Sequence, residues 1–224
     1  MSLSVVIVAG GSGARFGLKK QFIELAGVPV LKRAVEGFDA RESVDRIVVV
    51  VPEDDLLPAK EMLSGMTKDL VVTKGGKTRQ ESVFNGLKLA RESAVVLIHD
   101  GVRPLVSPDL VARVIDGLKG VSGCIPALEV TDTLKEVREG MVARTIPRGG
   151  LYQVQTPQAF LTSALIAAHE QAMRTGPPDL TDDSAILEAS GGTVRIVEGD
   201  PLNVKITFRN DILLAEAILA CRTV

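Results

Sequence analysis

Positions 5–9 read VVIVA, an apolar run without alternation that ends in a cluster of glycines. Such a run suits a strand buried on both faces, as in a parallel sheet covered by helices. The same pattern returns at 46–51 (RIVVVV, stopped by Pro52), at 94–99 (AVVLIH) and, in shorter form, at 70–73 and 122–126. Helices are expected between these runs, at 31–38 after the turn Gly27-Val28-Pro29, at 55–66, at 80–90 and at 108–118. Val83, Leu87 and Ala90 stand at helical spacing in the third of them. Ser107 can cap the fourth, with Pro108 in its first position. Strands alternating with helices imply right-handed crossovers. The expected fold is therefore α/β and Rossmann-like, a mainly parallel sheet with helices on both faces.

The alternation stops near Glu129. Residues 134–146 read as two short strands around Arg138-Glu139-Gly140, an insertion rather than another βα unit. A two-stranded hairpin is marginal by itself, so this arm is expected to pack on something, such as a second subunit. Beyond it come a helix at 161–174, a loop at Gly176-Pro177-Pro178, and a helix through 187–190 that Thr181 or Asp182 can cap. Strands are expected at 193–198 and 203–206, around Gly199-Asp200-Pro201, and an amphipathic helix at 211–222. With no repeat, low-complexity tract or linker, the expectation is one domain over 1–224 with an arm at about 131–152.

Composition narrows the function. A net charge of −2 argues against a general nucleic-acid or membrane surface. The apolar run at the N-terminus has no Lys or Arg before it and is too short to span a bilayer, so neither a signal peptide nor a membrane segment is expected. Cys124 and Cys221 match no metal spacing and read as reduced core thiols of a cytoplasmic protein. His99 and His169 are the only histidines, which excludes a His-rich metal site.

The chemistry gathers in loops. Gly10, Gly11 and Gly13 follow the first strand, and Arg15, Lys19 and Lys20 follow them. Backbone N–H groups in a glycine loop, backed by cations, hold polyphosphate. No Walker string occurs. The dinucleotide fingerprint fails at Phe16, where its third glycine belongs, which weighs against a dehydrogenase. The nucleotidyltransferase signature A-G-G-x-G-x-R, followed by a lysine, fits Ala9, Gly10, Gly11, Gly13, Arg15 and Lys20. The plain alternative is a tight strand-to-helix turn with solvated basic side chains. A second glycine loop runs from Lys74 to Arg79, and a third is Asp100-Gly101-Val102-Arg103-Pro104. All three follow strands, and ligands of such sheets bind beyond the carboxyl ends of the strands, so the three are expected to converge.

The strings AGGSGAR…KQF, GGKTRQESV, HDGVRP, TDTLK, QTPQAF, TDD and NVKIT occur in this order across nearly the whole chain. In them the sequence resembles the 2-C-methyl-D-erythritol 4-phosphate cytidylyltransferases of the non-mevalonate isoprenoid pathway. Ribitol-5-phosphate cytidylyltransferases share most of the strings and are the alternative; Thr133-Leu134-Lys135 leans to the former. A catalytically silent nucleotide-binding regulator is a further alternative, against which the presence of Arg15, Lys20, Arg148 and Lys205 weighs.

The resemblance implies a homodimer joined through the arm. It also implies the reaction of CTP and a sugar-alcohol phosphate, with Mg²⁺, to a CDP-linked product and pyrophosphate. Arg15 and Lys20 would stabilise the transition state. Ala9 to Gly13, Gly76, Arg79, Ser82, Asp100 and Arg103 would hold CTP. Asp100 would also meet Mg²⁺, held mainly by the triphosphate. Arg148 and Lys205 would clamp the acceptor phosphate, Arg148 in the neighbouring subunit, with Thr133 and Thr181 adding hydroxyl contacts. Plainer roles exist for some of these: a helix cap for Ser82, a turn for Asp100, an edge-strand lysine for Lys205. The sequence departs from the family at Lys19, where a proline is usual, and at Leu202, where many members carry an aspartate.

Overall fold

The computed structural model describes residues 1–10, 19–175 and 180–222. In chain order the elements are β1 (Leu3–Val8), β2 (Glu24–Leu25), β3 (Val28–Pro29), α1 (Val30–Asp39), β4 (Arg46–Val51), α2 (Leu56–Met62), β5 (Asp69–Lys74), α3 (Arg79–Ala90), β6 (Val95–Asp100) and α4 (Pro108–Asp116). They continue with β7 (Gly123–Glu129), β8 (Leu134–Arg138), β9 (Met141–Ile146), β10 (Tyr152–Val154), β11 (Gln158–Leu161), α5 (Thr162–Thr175), α6 (Asp183–Ala189), β12 (Val194–Glu198) and α7 (Asn210–Arg222).

The uninterrupted apolar runs form a sheet buried on both faces. Side chains alternate between the faces of a strand, and β1 shows the consequence. Val5 and Ile7 join Ile47, Val49 and Leu97 beneath α1, α2 and α4. Val6 joins Val48, Val50, Val96 and Ile98 beneath α3, α5 and α6. A third cluster of Leu25, Val30, Leu105, Ile206, Ala215 and Ile218 seats α7 against the β2–β3 pair.

β5, β4, β1 and β6 pair in parallel, and β12 pairs in parallel with β7. β11 lies antiparallel between β6 and β7, and β10 continues along the same side of β7. The mainly parallel architecture is as expected, but the antiparallel insertion inside the sheet was not legible, because a short apolar run carries no sign of its direction. The expected strand at 203–206 does not form. That segment crosses the strand ends, held by Ile206 N–H to Val102 O at 2.9 Å and by Asn203 Nδ2 to Thr156 O at 2.8 Å. The expected helix at 55–66 is shorter, entering through a 3₁₀ turn at Glu53–Asp55 and ending at Met62. Gly27, with φ of 75°, turns a short β2–β3 pair where the sequence predicts only a turn.

β8 and β9 form a separate two-stranded sheet. Glu139 and Gly140 both have positive φ in its turn, as a type I′ hairpin requires. Val137, Met141 and Val142 are exposed on this arm.

The double burial of the central strands sets an expected cost. Leu97→Ala in β6 should destabilise the fold by about 2–5 kcal/mol, the usual range for a fully buried leucine. Urea unfolding should show a lower midpoint with an unchanged slope.

Candidate active site

The described parts of the three loops converge. A cleft of about 410 Å³ opens at the carboxyl ends of the strands, lined by Ala9 and Gly10 after β1, by Gly76, Arg79 and Ser82 after β5, by Asp100 at the end of β6, and by Lys20, Lys77 and Lys205. A second cleft of about 610 Å³ adjoins it, lined by Arg103, Thr156, Gln158, Thr181, Asp182 and Ser184. Arg79, Asp100 and Lys205 line both clefts and therefore stand at their junction.

Asp100 is the centre of that junction. Lys205 Nζ lies 2.8 Å from its Oδ2, Arg103 Nε 3.8 Å from the same oxygen, and Arg79 Nη2 3.8 Å from Oδ1. Burial alone would raise the carboxyl pKa, but Lys205, Arg79 and Arg103 outweigh it and hold it at about 2. Lys205 is therefore an ion-pair partner at the junction, not the edge-strand lysine that the plainer reading allowed.

Below Asp100 a polar network fixes the loop. Thr156 Oγ1 accepts from the Asp100 N–H at 3.0 Å and contacts His99 Nδ1 at 3.1 Å. His99 Nε2 contacts Arg103 O at 3.0 Å. A carbonyl can only accept, so Nε2 carries the proton and Nδ1 accepts from the threonine hydroxyl. Arg103 Nη1 donates to Asn203 O at 2.8 Å. Arg103 thus supports the Asp100 loop while also reaching the wall of the larger cleft. Burial is the main reason the His99 pKa falls to about 4.

The second glycine loop is tied down rather than open. Ser82 Oγ accepts from the Gly76 N–H at 3.0 Å and donates to Thr78 O at 2.8 Å. Thr78, not Ser82, caps α3, accepting from the Glu81 N–H at 3.1 Å. A Cβ on Gly76 would stand 2.2 Å from Glu81 Cβ, so only glycine allows the loop to fold back on its own helix. Gly101 is equally confined, its added Cβ meeting Ala9 Cβ at 3.0 Å and Val8 O at 3.2 Å, which lets the β6 loop press against the β1 loop.

The structure separates Lys19 from Lys20. Lys19 Nζ pairs with the buried carboxylate of Asp55, which also accepts from Gln21 Nε2 at 3.0 Å. Lys20 lines the smaller cleft. Gly11, Gly13 and Arg15 lie outside the described residues. Arg148 and Thr133 are exposed and reach neither cleft wall of this chain, whereas Thr181 does. Asp182 caps α6, accepting from the Ala185 N–H at 3.0 Å, and takes a bond from Gln158 Nε2 at 2.7 Å. Asp200, the acid nearest to Leu202, is occupied with Ser107 Oγ at 2.9 Å.

Sequence reading missed Gln21, Gln158 and Asp183 as parts of the site. The strings KQF, QTPQAF and TDD contained them, but a polar residue gives no sign in the sequence that it will be buried.

Among the described residues no group of three His, Cys, Asp or Glu side chains could hold a metal by itself. Asp100 offers one ionised carboxylate, which fits a cation that takes most of its oxygen ligands from a substrate. No helix among the described residues is long and apolar enough to cross a membrane.

Two pH effects follow. An unfolded chain protonates its histidines near 6.5, while folded His99 waits until about 4. Its neutral ring therefore contributes stability in full above pH about 6.5, and this is lost as pH falls toward about 4. Asp100 contributes above its unfolded value of 3.8, and that contribution is lost as pH falls toward 2. Denaturation midpoints at stepped pH should fall in both windows, and His99 ring signals should not titrate between pH about 8 and 5.

The 2-C-methyl-D-erythritol 4-phosphate cytidylyltransferase (IspD) family model matches residues 3–221. The enzyme of that name from Geobacillus thermodenitrificans is 40% identical over 226 residues, covering 99% of each chain. The bifunctional enzyme IspD/IspF of Brucella anthropi is 42% identical over 221 residues, covering 96% of this chain and 54% of its own. Among solved structures, the 4-diphosphocytidyl-2C-methyl-D-erythritol synthase of Anaerococcus prevotii superposes with a TM-score of 0.85 at 33% identity, covering 98% of both chains. The Francisella tularensis 2-C-methyl-D-erythritol 4-phosphate cytidylyltransferase does so with a TM-score of 0.86 at 28% identity, covering 97% of this chain and 100% of that one. These matches do not favour the ribitol-phosphate alternative. The converging strand-end loops, the cation-bound Asp100 and the likeness over the whole length lead to one conclusion: the chain belongs to the 2-C-methyl-D-erythritol 4-phosphate cytidylyltransferase family, the CTP-dependent nucleotidyltransferases of isoprenoid precursor synthesis.

Proposed function

We propose that the smaller cleft holds CTP, that the larger one holds 2-C-methyl-D-erythritol 4-phosphate, and that the two substrates react across Asp100. The observation that carries this reading is the junction itself, where Arg79 and Lys205 line both clefts and flank one carboxylate.

An oxygen of the acceptor phosphate attacks the α-phosphorus of CTP. A new P–O bond forms, the bond to the β-phosphate oxygen breaks, and pyrophosphate leaves with that electron pair. A phosphomonoester has a second pKa of about 6, so the attacking group is already largely ionised near neutral pH and needs no general base. His99 fits this, being buried, neutral and fully engaged in the loop beneath Asp100. The barrier is mainly repulsion between an attacking dianion and a triphosphate. Fixed cations lower it by standing where negative charge develops.

Lys20, at the nucleotide cleft, is the transition-state cation on this reading, together with Arg15. Lys205 meets the acceptor phosphate, and Thr181 lies on the wall of that cleft. Asp100 would hold Mg²⁺ together with the triphosphate oxygens. Bound there, the ion would neutralise phosphate charge. The arm supports a homodimer, since Val137, Met141 and Val142 expose an apolar surface on a hairpin too small to stand alone. Arg148 and Thr133 then serve the acceptor site of the neighbouring subunit, the whole chain acting as one nucleotidyltransferase unit.

Pyrophosphate release with CTP and Mg²⁺ tests the reading. Release with 2-C-methyl-D-erythritol 4-phosphate and none with ribitol 5-phosphate is expected, and the reverse would move the acceptor to the ribitol class. Lys20→Ala should lower kcat by about 10²–10³, the typical loss for one transition-state contact, while Lys19→Ala should leave kcat nearly unchanged. Arg148→Ala should raise the acceptor KM with a smaller effect on kcat.

A further inference from the structure

Arg79 begins α3 and lines both clefts, and its guanidinium is gripped from behind. Asp183, fully buried at the start of α6, places Oδ2 2.8 Å from Nη1. The approach falls off the N–H axis, so this is an ion pair rather than an aligned hydrogen bond. His169 on α5, also fully buried, meets Oδ1 of the same carboxylate at 3.1 Å through Nε2. A carboxylate only accepts, so Nε2 is the protonated nitrogen. Phe84 of α3 stacks on the imidazole, with ring centroids 6.0 Å apart and planes 11° from parallel. Guanidinium, carboxylate and imidazole thus run in a line from the clefts into the layer of α3, α5 and α6.

Neither Asp183 nor His169 lines a cleft, and the chemistry above uses neither. A buried carboxylate is expensive unless it is paired, so packing alone does not account for one here. Arg79 shows what the carboxylate achieves. A second acid, Asp100, lies 3.8 Å from its other terminal nitrogen, and that acid is already bound by Lys205. Released from Asp183, Arg79 would be drawn onto Asp100 and would compete with Lys205 for that carboxylate, so that its charge is engaged there rather than on a bound nucleotide.

We propose that Asp183 is a positioning residue that holds the Arg79 guanidinium out from Asp100 and toward the triphosphate, and that His169 orients Asp183 for this task. The proposal rests on the cytidylyltransferase reading and deepens it: Arg79 binds nucleotide only while Asp183 holds it.

The test is steady-state kinetics of pyrophosphate release, with calorimetric CTP binding in parallel. Asp183→Asn keeps the shape and removes the charge. It should raise the CTP KM and Kd about tenfold, the worth of one charge-assisted contact, with the acceptor KM changed less than about twofold. In an Arg79→Ala background Asp183→Asn should add no further loss. His169→Phe, which keeps the stacking and removes the donor, should raise the CTP KM about threefold, whereas His169→Gln, which can still donate, should stay near wild type. A general loss of packing would lower the unfolding midpoint without this pattern.

Folded Asp183→Asn protein with wild-type CTP KM and Kd overturns the proposal, as does an equal loss in the Arg79→Ala background. If Asp183→Asn does not fold, the histidine pair decides, and equal CTP KM for His169→Phe and His169→Gln overturns it. Wild-type protein that binds CTP but releases no pyrophosphate with either acceptor defeats the functional reading instead. The calorimetric Kd of the Asp183→Asn protein then still decides the role of Asp183.

Discussion

One carboxylate surrounded by three cations holds the site together. Asp100 stands at the end of β6 with Lys205, Arg103 and Arg79 around it. These side chains come from a segment that crosses the strand ends, from the β6 loop and from the first turn of α3. Without Asp100 the cations would repel one another across the junction. With it they sit close together at the junction of the two clefts.

The rest of the architecture supplies that geometry. Parallel strands bring their carboxyl ends, and so their loops, to one edge of the sheet. Thr156 accepts the Asp100 N–H, and the Asn203 side chain bonds Thr156 O, so the antiparallel β10–β11 insertion anchors both the β6 loop and the crossing segment that carries Lys205. Catalysis by fixed charge requires cations that do not relax when the substrate's charge moves. A buried, fully bonded loop network is a physical means to that rigidity, and it gives the neutral His99 a structural task.

Much of this could be read from the chain. The double-sided burial of β1, β4 and β6 followed directly from apolar runs without alternation, and the loop motifs fell after strands as they had to. Less legible were direction, register and burial of polar groups. β11 carries the same kind of short apolar run as a parallel strand, and the pairing with Ile98 and Cys124 that makes it antiparallel involves residues far away in sequence. The segment at 203–206 has strand composition but crosses the strand ends rather than running beside a strand. Its Ile206 N–H goes instead to Val102 O, and the Asn203 side chain donates to Thr156 O.

The sequence by itself determined the fold class, the order of the loop motifs after the strands, and the resemblance that names the reaction. Those depend on local pattern and on motif order, which a chain carries in one dimension. Only the tertiary structure decided that Lys19 belongs to Asp55 while Lys20 faces the cleft, that Lys205 closes on Asp100, and that Asp183 and His169 stand behind Arg79. Each is a choice among several charges of opposite sign that could pair. The choice depends on distance and desolvation, which exist only once the chain has folded.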